Sequence, residues 1–289
     1  MDEYHVIKYT SEKRKEWDNF VEVSNNGTIF HRQDFLSYHP PNRFLRDDKM
    51  IYRGGELMGL FPLSYHITKK GKIGRSPYGA SFGGIVTREI RSKHAEQVTA
   101  ALISSLAKDG YSEIEVCFPP DCYYKSYNNS IEYTLLKKVK YQLVDRGLTS
   151  VIELTGTRKL SKNFVRNLSK AEKAKIKVIM PKEVYRFYDI LRETVISKHG
   201  GQLTHTLEEL KYLKKNLNDM VKIFLGIWEG RAISGVLIFE NASPCAFAFY
   251  NCHLQEFSHL CSLHKVFDYI IGYCGKSKKW LDLGLTDRF

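Results

Sequence analysis

Two apolar runs, each broken near its middle by a glycine-bearing turn, give the chain its first legible pattern. Met50-Ile51-Tyr52 leads to a turn at Arg53-Gly54-Gly55-Glu56 and a return along Leu57 to Leu63. Later, Ile223 to Trp228 leads to Glu229-Gly230-Arg231 and a return along Ala232 to Phe239. Both read as β-hairpins, because glycine supplies the positive φ that a tight turn needs. Gly55 answers Gly230, and Gly59 answers Gly235 with one residue inserted.

The pattern around each hairpin repeats as well. Ser76-Pro77-Tyr78 is expected to open a third strand in the first copy, and Ser243-Pro244-Cys245 one in the second. A helix follows in each, from Ser92 to Lys108 and from Leu260 to Cys274. Val98, Ala101, Leu102, Ser105 and Leu106 share one face of the first, and Leu263, Val266, Phe267, Ile270 and Ile271 one face of the second. Both end near glycine, at Gly110 and Gly275. A further strand comes next, Glu113 to Phe118 in one copy and Trp280 to Gly284 in the other. Helices precede each hairpin: Glu12 to Val23 with Phe35 to Tyr38, and Lys182 to Ser197 with Leu207 to Leu217.

One order of elements recurring at a similar offset predicts a duplicated unit. The fold class is mixed α/β (α+β), two tandem domains at residues 1–155 and 156–289, each a twisted mixed sheet flanked by helices. The boundary is expected near Thr155-Gly156-Thr157, after a strand Ser150 to Leu154 that closes the first copy behind a helix from Ser130 to Lys140. The second copy stops after Asp282-Leu283-Gly284 and is expected to lack its last helix and strand.

Composition narrows the class. Hydrophobic residues make up 43% of the chain, charged residues 26% and aromatic residues 13%, which suits a globular core and excludes a disordered chain. No apolar run reaches the roughly 18 residues of a membrane span, and the start lacks a signal-peptide pattern, so a cytoplasmic protein is expected. The six cysteines form no C-x-x-C pair, and Cys252-His253 with His259 and Cys261 lacks the tight chelating turns of zinc sites, so no metal is expected. A net charge of +12 attracts polyanions, among them nucleic acid, nucleotide-linked sugars and anionic membrane surfaces.

Helix pair, hairpin, third strand, helix and strand resemble the GNAT acyltransferase fold, and two such GNAT-like domains in tandem resemble the Fem-type (FemAB-like) transferases of cell-wall synthesis. Arg166-Asn167-Leu168-Ser169-Lys170-Ala171-Glu172-Lys173-Ala174 looks like the basic segment that opens the second domain in that family, and Leu281-Asp282-Leu283-Gly284 like its late strand. Residues 76–84 and 198–206 resemble segments of the branch that accompanies surface-polysaccharide genes. The resemblance implies transfer of an acyl or aminoacyl group to an amine or hydroxyl of a sugar-nucleotide or lipid-linked glycan acceptor. It also implies acyl-CoA or aminoacyl-tRNA as donor, and peripheral association with the inner membrane surface. An acyl-CoA GNAT carries spaced glycines between its late strand and helix, where backbone N–H groups hold pyrophosphate. Here that connection, His253 to Leu260, has none, which counts against simple acetyl-CoA binding.

Acyl transfer needs a group that takes the acceptor's proton and a donor beside the oxyanion. The catalytic candidates are Asp282, whose side chain faces away from those of Leu281 and Leu283, His205 in a helix-entering loop, and Tyr250 at the end of Phe247-Ala248-Phe249-Tyr250. Thr206 with Glu209 also reads as a capping box. Lys162, Arg166 and Lys170 recur every four residues, a row suited to phosphates. Tyr78 and Ser81, among glycines, suit a loop that approaches a sugar or nucleotide, and His31 and Arg32 are candidates for the same groove. Two other readings stay open: a nucleic-acid-binding protein that uses its basic charge, and a chain that keeps the fold without the reaction.

Overall fold

Both glycine-centred hairpins form in the computed structural model of the chain, which describes residues 3–40, 43–69, 71–157, 159–199 and 203–285. They lie in different compact units, Met1–Arg146 with Asn241–Ser243, and Gly147–Glu240 with Pro244–Phe289.

The first unit runs β1 (Tyr4–Lys8), α1 (Arg14–Val23), α2 (Gln33–Leu36), β2 (Leu45–Arg46), β3 (Lys49–Arg53) and β4 (Glu56–Phe61). It continues through β5 (Ser64–Thr68), β6 (Gly71–Ser76), β7 (Val86–Thr87), α3 (Ser92–Lys108), β8 (Tyr111–Val116) and α4 (Ser130–Lys137). One sheet has the order β1-β3-β4-β7 and a second the order β2-β5-β6-β8. Successive side chains of a strand point to opposite faces, and β3 is buried on both from Lys49 to Tyr52. Its Ile51 joins Ala95, Val98, Leu102 and Leu106 of α3, while Met50 and Tyr52 join Trp17, Phe20 and Val21 of α1. Each such side chain, fully buried, contributes about 1.5–3 kcal/mol.

Ser76-Pro77-Tyr78 does not open the third strand but ends it. Ser76 is the last residue of β6, and β5 and β6 form a hairpin that the sequence pattern does not announce, since the alternation in β5 is half exposed and polar. β6 then pairs in parallel with β8 across the α3 crossover, from Lys72↔Tyr111 to Ser76↔Val116.

The second unit runs β9 (Thr149–Glu153), α5 (Lys162–Lys173), β10 (Lys177–Ile179), α6 (Tyr185–His199) and α7 (Leu207–Leu217). It continues through β11 (Val221–Trp228), β12 (Arg231–Phe239), β13 (Cys245–His253), α8 (Ser262–Cys274) and β14 (Trp280–Leu285). Its sheet has the order β10-β11-β12-β13-β14-β9. The inward face of α8, Val266, Ile270, Ile271 and Cys274, packs on Phe224, Val236, Ile238, Ala246 and Leu281.

The strand expected to close the first copy belongs here instead. β9 is antiparallel to β14, with Leu281 opposite Ile152 and Asp282 opposite Val151, so the outer edge of β14 is covered by a strand that precedes the rest of its unit. Strand alternation alone names no partner, and this partner lies far along the chain.

Candidate active site

β13 and β14 pair in parallel for only three residues, Cys245↔Trp280, Ala246↔Leu281 and Phe247↔Asp282, although β13 runs on to His253 and β14 to Leu285. The two strands therefore fork. The cause is visible one strand over. Between β12 and β13 the register passes from Leu237↔Tyr250 to Ile238↔Ala248, so Phe249 is an extra residue, and such a bulge bends and twists its strand. Bulges recur beside active sites because they re-aim side chains.

Tyr250 follows the bulge directly. Its hydroxyl shares a short hydrogen bond with Nδ1 of His205, and the rings meet edge to face with centroids 5.6 Å apart. His205 is buried and its ring also packs against Phe249. Thr206 next to it caps α7 as expected: its Oγ1 accepts from the Glu209 amide at 3.2 Å, and its own amide donates to Glu209 Oε2 at 2.7 Å. The capping box anchors the loop that holds His205. Burial pushes the Tyr250 phenol up to about 12, against a smaller opposing effect of a hydrogen bond with Thr204. The phenol is protonated at neutral pH and can donate a hydrogen bond. This pair, 45 positions apart in sequence, is where the structure joins two of the three catalytic candidates.

Asp282 lies at the base of the fork with its side chain fully buried. Its Oδ1 accepts from the Gly284 amide at 2.8 Å and from the Thr149 hydroxyl, which also contacts the Gly284 carbonyl oxygen at 2.9 Å. Gly284 takes φ +90°, a conformation that side-chain-bearing residues rarely adopt. The carboxylate thus fastens β14 to β9 and holds one prong in place. Thr149, Gly284 and Phe249 escaped sequence reasoning, because a latch and a bulge are properties of pairing.

Lys162, Arg166 and Lys170 are exposed along α5, as their spacing predicts. Arg166 donates to Asn163 Oδ1 at 2.7 Å, and Ser161 caps the helix. α5 packs on the first turn of α8: Asn167 Nδ2 lies 3.1 Å from His264 Nε2, and Lys265 reaches Glu172 at 2.9 Å. Cys261, just before α8, is left-handed at φ 55°. The start of α8, which in an acyl-CoA GNAT faces pyrophosphate, here carries an αL residue and a side-chain contact. Arg158 of the same basic stretch, and residues 200–202 of the family phrase, lie outside the described residues.

In the first unit, Tyr78 is half-buried, stacks on Phe44 with centroids 5.9 Å apart, lies under the Arg75 guanidinium and contacts His66 Nδ1 at 3.1 Å. Ser81 is half-buried nearby in sequence. Arg32 pairs with Glu22 at 3.2 Å. His31 corrects the sequence reading: it is fully buried, and its Nδ1 lies 3.0 Å from the Thr28 amide and 2.9 Å from the Thr28 hydroxyl as the far end of a capping box. Burial first of all lowers its pKa to about 4, so it is a neutral interior group and lines no groove.

Each unit also has a hollow of about 340 Å³, one lined by Lys8, Asp47, Lys49, Lys72 and Asp109, the other by Ile152, Leu160, Phe164 and Ile271. Neither is lined by His205, Tyr250 or Asp282. Among the described residues no group of His, Cys, Asp and Glu could hold a metal ion, and no helix is long and apolar enough to cross a membrane.

The chain is similar to the crystal structure of FemX, with a TM-score of 0.70 at 13% identity, over 99% of this chain and 90% of that one. The chain has a Fem-type fold. L-PGS from Bacillus licheniformis is similar at TM-score 0.60 and 12% identity, over 96% of this chain and 76% of that one. A conserved protein of unknown function from Bacteroides thetaiotaomicron matches at TM-score 0.57 and 11% identity, over 99% and 91%. No family model matches the sequence, and no curated protein does. The fold is of the tandem GNAT kind, and each unit has one parallel strand pair joined across a helix, β6 with β8 and β13 with β14.

Proposed function

We propose that the chain is a transferase that moves an aminoacyl or acyl group onto an amine or hydroxyl of a glycan-type acceptor, with the chemistry in the second unit at the fork of β13 and β14. The observation that carries this is the His205–Tyr250 hydrogen bond at the bulge that opens the fork. A protonated tyrosine there can donate to the oxyanion of a tetrahedral intermediate or give its proton to the leaving group. His205, bonded to the same hydroxyl, is placed to re-supply or accept that proton. Asp282 positions β14 and exchanges no proton with substrate.

For the donor we favour an aminoacyl group carried on tRNA over acyl-CoA. The exposed row Lys162, Arg166 and Lys170 suits a phosphate backbone, and the turn before α8 offers no glycine-lined seat for pyrophosphate. The likeness of fold to FemX and L-PGS agrees with this choice without deciding it. The two units are read as diverged copies of one domain, the first taking up the acceptor through the loop that carries Tyr78 and Ser81, with Arg32 as a further contact.

The test is transfer of a labelled group by the purified chain to sugar-nucleotide and lipid-linked acceptors, with charged tRNA and acyl-CoA as alternative donors. Turnover from charged tRNA that drops at least a hundredfold in Tyr250→Phe supports the reading. Turnover from acyl-CoA alone overturns the donor assignment, and full activity in the variant overturns the site.

A further inference from the structure

Beyond α4 the first unit continues to Arg146 without helix or strand, and its side chains from Gln142 to Arg146 are all exposed. Two adjacent aliphatic residues stand at its tip, Leu143 at 65% and Val144 at 86% exposure. A single exposed aliphatic is ordinary on a protein surface, but this pair does not stand alone. On α4 itself Tyr133 is 53% and Leu136 48% exposed, and helical geometry sets them with Lys137 inside an arc of about 100°.

The same short segment is rich in cations. Lys137, Lys138, Lys140 and Arg146 are exposed, and Asp145 is the anion among them. Lys138 lies 3.8 Å from Glu96, whereas Lys137, Lys140 and Arg146 form no ion pair among the described residues. Apolar side chains at a tip and unpaired cations beside them are the two components of reversible binding to an anionic bilayer.

We propose that this segment docks the first unit on an anionic lipid surface, with Leu143 and Val144 entering the boundary between headgroups and acyl chains and Lys137, Lys140 and Arg146 meeting lipid phosphates. A protein partner fits less well. Leucine and valine are under-represented among the residues that anchor protein interfaces, and the tip itself has no aromatic side chain to fill a pocket. A bilayer asks for no shaped pocket, only apolar depth and charge.

Co-sedimentation of the full chain with vesicles tests this, using phosphatidylcholine alone or mixed with phosphatidylglycerol, at low and high salt. Binding is expected only with phosphatidylglycerol and weakens with salt. The double variant Leu143→Asp with Val144→Asp, at exposed positions that leave the core untouched, lowers affinity at least tenfold. Each of Lys137→Gln and Lys140→Gln lowers it about fivefold. Circular dichroism checks that each variant is folded. Equal binding to both vesicle types, no binding to either, or binding unchanged in the double variant overturns the proposal. So does loss of binding in Lys162→Gln with Arg166→Gln and Lys170→Gln while the double variant still binds, because the lipid would then be held by α5. The readout needs no turnover, so it can fail while the transferase assignment stands, and the reverse.

Discussion

Replacing Tyr250 by phenylalanine removes one oxygen and keeps the ring among Phe249 and His205, so its consequences can be worked out in some detail. At about pH 8 the variant loses the hydrogen bond to the buried His205 nitrogen, at a cost of about 1–3 kcal/mol. The pH dependence has the opposite sign. Burial raises the phenol from 10.0 to about 12, so the folded chain keeps a proton that the unfolded chain releases. Native stability from this group is therefore fully present well below pH 10 and falls as pH rises towards 12, by at most about 1.4 kcal/mol per unit of pH. The variant has no such group. Because the unfolded phenol is already half ionised at pH 10, the stability gap between native and variant should shrink by about 1 kcal/mol between pH 10 and pH 11. Urea denaturation of both chains across that range reads the gap directly, and the other tyrosines, common to both, cancel in the difference. A gap that stays constant with pH would refute the buried, protonated tyrosine on which the proposed chemistry rests.

Three further outcomes follow from named contacts. Asp282→Ala leaves the Gly284 amide and the Thr149 hydroxyl without their shared acceptor, at about 2–4 kcal/mol, and hydrogen exchange should speed first in β9 and β14; uniform exchange would argue against a latch. His31, buried and neutral with a pKa lowered to about 4, contributes stability present above its unfolded value of 6.5 and lost as pH falls towards 4, about 3 kcal/mol in all. His31→Asn should flatten the stability curve across that window, as acid titration of the unfolding midpoint will show. Asp47 is opposed in its ionisation by burial, but hydrogen bonds from Lys49, Lys72 and Tyr111 outweigh this and hold its pKa below 3.8, so its contribution is present above that value and lost in stronger acid. Asp47→Asn strips the counter-charge from buried Lys49 and should cost about 3–5 kcal/mol by urea denaturation at neutral pH; a loss below 1 kcal/mol would show that Asp109 alone suffices.

Elements with their own internal signal were legible. α3 and α7 occupy Ser92–Lys108 and Leu207–Leu217 as their apolar spacing predicts, and the Thr206–Glu209 box sits where expected, because caps and helical faces are written within a few residues. β1 and β10 escaped notice: one is five residues with no fully buried position and the other three, and each takes its conformation from a neighbour's edge. The pairing of β9 with β14 was misassigned for the same reason, since Thr149 and Asp282 are 133 positions apart. In the site, His205 and Tyr250 could be named as suitable residue types, but their contact depends on a bulge at Phe249 that no local pattern specifies. His31 had the right chemistry for a substrate contact and the wrong environment.

The two parallel strand pairs argue for a division of labour within one repeated topology. In the first unit β6 and β8 stay paired along five positions, from Lys72↔Tyr111 to Ser76↔Val116. At the start of that seam the Lys72 ammonium lies between the Tyr65 and Tyr111 rings, 4.0 and 4.1 Å from their centroids, and donates to Asp47 at 2.9 Å, while the Tyr111 hydroxyl donates to the same carboxylate at 2.8 Å. A cation held between two rings and bonded to a buried carboxylate resists the separation a reacting group would need. In the second unit the equivalent strands part after three positions, and Tyr250, three residues beyond the last paired residue of β13, bonds His205. The first seam is thus paired to the end of β6 and fastened at its start, whereas the second is paired for three residues and open beyond them. The physical difference between the copies is thus where their strands are fastened, and that places transfer chemistry, on the proposed reading, in the second copy and leaves the first free to specialise in recognition.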